Sequence, residues 1–154
     1  MSVQLDASDR KILAALQEDA TRTIADLAHD YGMSHNTCWR RIKRLEDNGL
    51  IMRRVALLDG AMLGFEMTIF VSIKASEHSD EWFRQLREAV IDIPEVVEFY
   101  RMAGDVDYLL KLKVENIAAY DRVYRRLIRS VRLSDVSSAF SMEEIKCTTA
   151  LPLR

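Results

Sequence analysis

Residues 33–51, MSHNTCWRRIKRLEDNGLI, hold the densest chemistry in the chain. Arg40, Arg41, Lys43 and Arg44 fall within five positions, just after Cys38 and Trp39. Three readings are open to such a stretch: it grips a polyanion, it uses the Cys38 thiol, or it is a solvated charged helix face. Metal or redox work at Cys38 needs a second ligand at suitable spacing, and no Cys or His supplies one. The three histidines, His29, His35 and His78, complete no nucleophile–base pair. No phosphate-binding glycine loop, dinucleotide fingerprint or metal motif occurs. Glu143 and Glu144 would point to opposite faces of a strand, which makes them poor catalytic partners. No catalytic residue, metal site or cofactor is expected, and the protein reads as a non-enzyme.

As a helix, the stretch sorts its residues by direction. At 100° per residue, Ile42 and Leu45 lie within about 40° of Cys38, so these three form the inward stripe. Asn36, Arg40 and Lys43 then face outward, with Thr37, Trp39 and Arg44 on the shoulders. Asn and Arg can form paired hydrogen bonds to adenine and guanine edges, and Lys reaches guanine or phosphate. Base contact falls to the first part of a recognition helix, here His35 to Lys43. Arg44, Arg53 and Arg54 suit phosphates. Trp39 packs either on a sugar or on a neighbouring helix. The expected DNA-binding set is Ser34, His35, Asn36, Thr37, Trp39, Arg40, Lys43, Arg44, Arg53 and Arg54.

The elements that position this helix are legible around it. Asp6 can cap a helix with Ile12, Leu13 and Leu16 inward. Thr23 and Asp26 form a capping box for a short second helix, which Gly32 ends. Ser34 caps the third helix, and Asn48-Gly49 stops it. Short helix, glycine turn and basic helix make the helix-turn-helix order. Part of LIMRRVALLD reads as a strand, a wing or linker, and 1–60 as the DNA-binding domain with its linker strand.

Residues 61–154 read as a second domain. MTIFVSIKA (67–75) is a strand, and Trp82, Phe83, Leu86, Val90 and Ile93 mark a helix broken by Pro94. EVVEFYRMA and DYLLKLKV form a hairpin around Gly104-Asp105-Val106. A second helix (116–131) has Ile117, Tyr120, Val123, Tyr124, Leu127 and Ile128 as its apolar face, and SSAFSMEEIKC is the last strand. The fold class is α+β: a helix-turn-helix, winged-helix-like domain plus a ferredoxin-like βαββαβ domain. Both helices cover one sheet face. Phe70, Phe99 and Leu110 are expected on the other, where a partner subunit is the simplest cover.

At 154 residues with 49% hydrophobic and 30% charged side chains, ordinary globular packing is expected. The net charge of −2 does not argue against DNA, because the cations are local. Two unpaired cysteines suit a reducing compartment, and no apolar run approaches a membrane span. The N-terminus lacks a signal-peptide layout. A cytoplasmic, nucleoid-associated protein with no membrane partner is expected.

The sequence resembles the Lrp/AsnC (leucine-responsive/asparagine-responsive) family of transcription regulators. LDASDRKILAALQEDA, MSHNTCWRRIKRLEDNGLI, RMAGDVDYLLKLKV and SMEEIK carry the resemblance in order. Thr37, where the family often has proline, and Val106, where it usually has an aromatic, depart from the pattern. The resemblance implies double-stranded DNA as partner and self-association into dimers, tetramers or octamers. It also implies an amino-acid effector bound between subunits near the hairpin, regulating amino-acid metabolism. In MAGDVDY, a glycine turn lets N–H groups approach a carboxylate, and Asp105 or Asp107 can pair with an ammonium group. Met102, Ala103, Gly104, Asp105, Asp107 and Ser138 are the candidate effector residues; Asp107 is alternatively structural. Two other readings stay open: an architectural, DNA-wrapping protein without an effector, and an enzyme on the same fold.

Overall fold

The computed structural model describes residues 4–153. The chain divides into two compact units, residues 1–57 with 146–154, and residues 58–145.

The first unit is built from α1 (Ala7–Glu18), α2 (Ile24–Asp30) and α3 (His35–Asp47). Each start is fixed by a side chain that satisfies an otherwise orphaned backbone donor. Asp6 accepts from the Asp9 N–H and Asp9 answers to the Asp6 N–H, a reciprocal capping box. Thr23 and Asp26 repeat the device on α2, and Ser34 accepts from the Thr37 N–H on α3. Gly32 takes the turn between α2 and α3 at φ +62°, a conformation that disfavours any residue with a Cβ. Ile12, Ala15, Leu27, Ala28, Cys38 and Ile42 pack together at the centre. Full burial of such a branched side chain is worth about 1.5–3 kcal/mol, enough to hold helices this short. The tail returns to this unit. The Gln17 amide donates to the Leu151 carbonyl at 3.1 Å and accepts from its N–H at 2.7 Å. The expected division at 60/61 does not anticipate that return.

The strand expected within 50–59 is absent: residues 53–59 carry no strand and lie exposed. A strand needs a hydrogen-bonded neighbour, and none runs beside them among the described residues. Gly60 opens a single 3-10 turn, Ala61–Leu63.

The second unit follows as β1 (Met67–Ala75), α4 (Asp80–Ile91), β2 (Val96–Arg101), β3 (Tyr108–Val114), α5 (Ile117–Ser130) and β4 (Leu133–Phe140). The four strands are antiparallel in the order β2-β3-β1-β4. This is the βαββαβ arrangement. Ile69, Val71 and Ile73 of β1 and Tyr108, Leu110, Leu112 and Val114 of β3 meet Trp82, Leu86, Val90, Val123 and Leu127 of the helices. Strand alternation sends Phe70, Leu109 and Lys111 to the opposite face.

Four expectations are corrected here. Leu110 and its cross-strand partner Phe99 face the helices, not the open side, because they share register with buried Val71. The open face is also more polar than expected, with Lys111 bonded to Glu98 at 3.0 Å. The last strand ends at Phe140, and 142–147 are exposed, because its partner β1 begins only at Met67. On α5 the buried positions are Ala119, Val123 and Leu127, while Ile117 (65% exposed) and Ile128 lie outside. A six-position apolar face is wider than one helix can turn to a sheet.

Candidate nucleic-acid and effector sites

The third helix presents its residues as its period dictates. Cys38, Ile42 and Leu45 are buried; His35, Asn36, Trp39, Arg40 and Lys43 are exposed. Burial also pushes the Cys38 thiol above its ordinary value, so it is a poor thiolate and an ordinary packing residue.

The cations on and after α3 are not equivalent. Arg41 donates to Asp6 at 2.6 Å and to Asp9 at 2.8 Å, and Arg44 donates to Asp9 at 2.5 Å. Asp9 is a carboxylate only 1% exposed, bridging α1 to α3 through two guanidinium groups. Hydrogen bonds to Asp6 and Asp9 hold the Arg41 pKa up. The Asp6 carboxyl lies below its ordinary value through the Asp9 N–H and then Arg41. Lys43 is bonded to Asp47 at 2.7 Å, which raises its pKa, and Arg54 to Glu46 at 3.2 Å. Arg40 and Arg53 have no ion-pair partner among the described residues. Ser34 and Thr37 are occupied locally, their hydroxyls 2.8 Å apart. The outward set with uncommitted polar groups is therefore His35, Asn36, Arg40 and Arg53, flanked by Trp39.

The sequence reading placed Arg44 on phosphate, took Asp6 only as a cap, and did not foresee the ion pairs of Arg41 and Arg44 with Asp6 and Asp9. The available signal was a pair of carboxylates three apart on the first turn of α1, facing a helix with two arginines three apart.

In the second unit the hairpin is closed by the Met102 N–H on the Asp107 carbonyl at 2.8 Å, with Gly104 at φ +127°. Ala103 and Asp105 are exposed. Asp107 is an anchor: its N–H donates to Ile73, its carboxylate accepts from the Ala75 N–H at 2.8 Å, and His78 Nδ1 lies 3.9 Å away. Of the two earlier readings of Asp107, the geometry carries the structural one. Ser138 is not brought to the hairpin. It pairs with Val71 in mid-sheet on the helix side, its hydroxyl 2.6 Å from that of Tyr120.

A helix-turn-helix unit with an outward basic helix, followed by a βαββαβ unit with a glycine hairpin, is the design of a DNA-binding regulator with a sensing domain. Comparisons with known proteins agree. Residues 5–52 match the winged helix-turn-helix DNA-binding family, and residues 68–151 match the Lrp/AsnC ligand binding domain. The glutamate uptake regulatory protein of Zymomonas mobilis subsp. mobilis is 53% identical over 150 residues, 97% of this chain and 92% of that protein. The crystal structure of an AsnC family transcriptional regulator from Agrobacterium tumefaciens is 55% identical with a TM-score of 0.92, covering 96% of this chain and 97% of that one. The transcriptional regulator NMB0573 of Neisseria meningitidis, solved as an L-Met complex, is 30% identical with a TM-score of 0.90, covering 97% of each chain. The chain belongs to the Lrp/AsnC family of transcriptional regulators.

Proposed function

We propose that α3 reads base sequence in the major groove through Asn36 and Arg40. Lys43 joins when DNA draws it from Asp47, and Arg53 holds phosphate. The second unit binds an amino acid or a closely similar metabolite beside residues 102–105, between subunits of an oligomer. The effector then shifts the arrangement of the DNA-reading helices by binding one arrangement more tightly than another. This regulates genes of amino-acid metabolism, beside the DNA in the cytoplasm.

One observation carries the DNA reading: Arg40 stands outward on α3 with no described carboxylate paired to it, while Arg41 and Arg44 are bonded to Asp9. Arg40→Ala in a mobility-shift assay should cost about 1–3 kcal/mol, roughly 5- to 150-fold in affinity, and relax preference at one base position. Unchanged affinity and preference would remove α3 from the role. The effector reading is supported by the L-Met complex of the Neisseria regulator and by the glutamate-uptake role in the name of the Zymomonas relative. Calorimetry against the twenty amino acids tests it; no binding at millimolar concentration would leave a DNA-wrapping protein without an amino-acid signal.

A further inference from the structure

The second unit carries more acidic than basic residues, yet its arginines are concentrated. Arg122, Arg125, Arg126, Arg129 and Arg132 come from α5 and the turn after it, and Asp121 is the only carboxylate from 116 to 132. Arg122, Arg126 and Arg129 lie within about 60° of one another around the helix, on the flank beside the buried stripe of Ala119, Val123 and Leu127, with Arg122 and Arg129 at least about 100° from Val123 and Arg126 about 60° from it. All three are exposed, in a row about 10 Å long. Asp121 is taken by Arg125 at 2.9 Å. No described carboxylate forms an ion pair with Arg122, Arg126, Arg129 or Arg132.

Folding does not ask for this row. Like charges three or four apart on a helix repel by a few tenths of a kcal/mol per pair. Arg122–Arg125, Arg122–Arg126, Arg125–Arg129 and Arg126–Arg129 are all such pairs, against the single favourable pair with Asp121. Only Arg129, in the last turn, gains from the helix dipole. The neighbouring α4 offsets its charge instead, with Arg84 bonded to both Glu81 and Glu88. The cations are all arginine, whose planar fork matches phosphate. They form a line on an exposed helix face, which suits an extended polyanion.

We propose that the exposed arginine flank of α5 is a second, sequence-independent contact for the DNA backbone, engaged by duplex that continues beyond the base pairs read by α3. A duplex strand offers a phosphate every 3.4 Å of axis, so a 10 Å row meets about three. The proposal rests on the DNA-binding reading of α3.

The test is the full-length triple variant Arg122→Gln, Arg126→Gln, Arg129→Gln, since glutamine keeps helix propensity. It is titrated at several salt concentrations on a short duplex holding one recognition site, and on a long duplex holding the same site with extended flanks. Each lost phosphate contact lowers the slope of log K against log salt by about 0.9. On the long duplex the slope should fall by roughly 2–3 and the nuclease footprint should shorten. Binding to the short duplex, particle mass by light scattering and thermal stability should hold, the last rising slightly as repulsion is removed. An unchanged long-duplex slope overturns the proposal. So does equal loss on both duplexes, a changed particle mass, which would make the row an interface between copies, or a lowered melting temperature. Failure of the unsubstituted protein to bind either duplex overturns the α3 reading and this one with it; failure of the long-duplex effect alone leaves α3 untouched.

Discussion

Replacing Asp9 with asparagine tests how the recognition helix is held. The carboxylate is 1% exposed, Oδ1 accepts from Arg41 at 2.8 Å, and Oδ2 accepts from Arg44 at 2.5 Å and from the Asp6 N–H at 3.2 Å. Asparagine keeps the volume and removes the charge. Two charge-assisted hydrogen bonds are weakened, each worth about 1.5–3 kcal/mol net. The surviving guanidiniums are not trapped, because the Arg41 and Arg44 side chains are 27% and 48% exposed and recover hydration. The expected loss is therefore about 2–3 kcal/mol, below the 3–5 kcal/mol of a pair whose survivor stays buried. The converse change, Arg41→Gln with Arg44→Gln, strands Asp9 itself and should reach about 3–5 kcal/mol. That asymmetry is the diagnostic. Urea titration followed by hydrogen exchange on α1 and α3 peptides reads it locally. A cost for Asp9→Asn under about 0.5 kcal/mol, or equal costs for the two variants, would refute the bridging role. The freed arginines should also raise affinity for random DNA and steepen its salt dependence. The Asp6 carboxyl, depressed in the folded state, adds stability that is complete above its unfolded pKa and lost as pH falls through the folded one. The α1–α3 contact should thus be intact at neutral pH and weaken below pH about 4.

Three further outcomes follow from single contacts. Ser138→Ala and Tyr120→Phe should each destabilise the second unit by about 0.5–1.5 kcal/mol in chemical denaturation and leave amino-acid affinity unchanged, since both hydroxyls are spent on each other; an affinity change without a stability change would return Ser138 to the effector site. Gly104→Ala places a Cβ in open space, so its cost, about 1–3 kcal/mol, is backbone strain and should appear as faster exchange of the 102–107 amides. A thiol reagent at neutral pH should modify one thiol per native chain, exposed Cys147, and reach Cys38 only on unfolding; two native thiols by mass would contradict the burial of Cys38.

What the sequence disclosed depended on how far apart the deciding residues lie. Asp6, Thr23 and Ser34 were readable as caps because each accepts from a residue three positions on. The outward direction of Asn36, Arg40 and Lys43 was readable because the helical period is fixed once Cys38, Ile42 and Leu45 are turned inward. Ser138 and Phe99 were not assignable to a face, because a one-residue change of register reverses every side chain and only pairing with Val71 and Leu110 sets it. The ion pair of Arg44 was not readable for a similar reason. Its character as a cation is local, but its availability depends on Asp9, 35 residues earlier. A count of basic residues therefore overstates a DNA interface wherever the helix that supports it supplies carboxylates. On α3 that support leaves Arg40 exposed, with no ion-pair partner among the described residues. On α5 no described carboxylate pairs with Arg122, Arg126 or Arg129, and of its four arginines only Arg125 is offset, by Asp121.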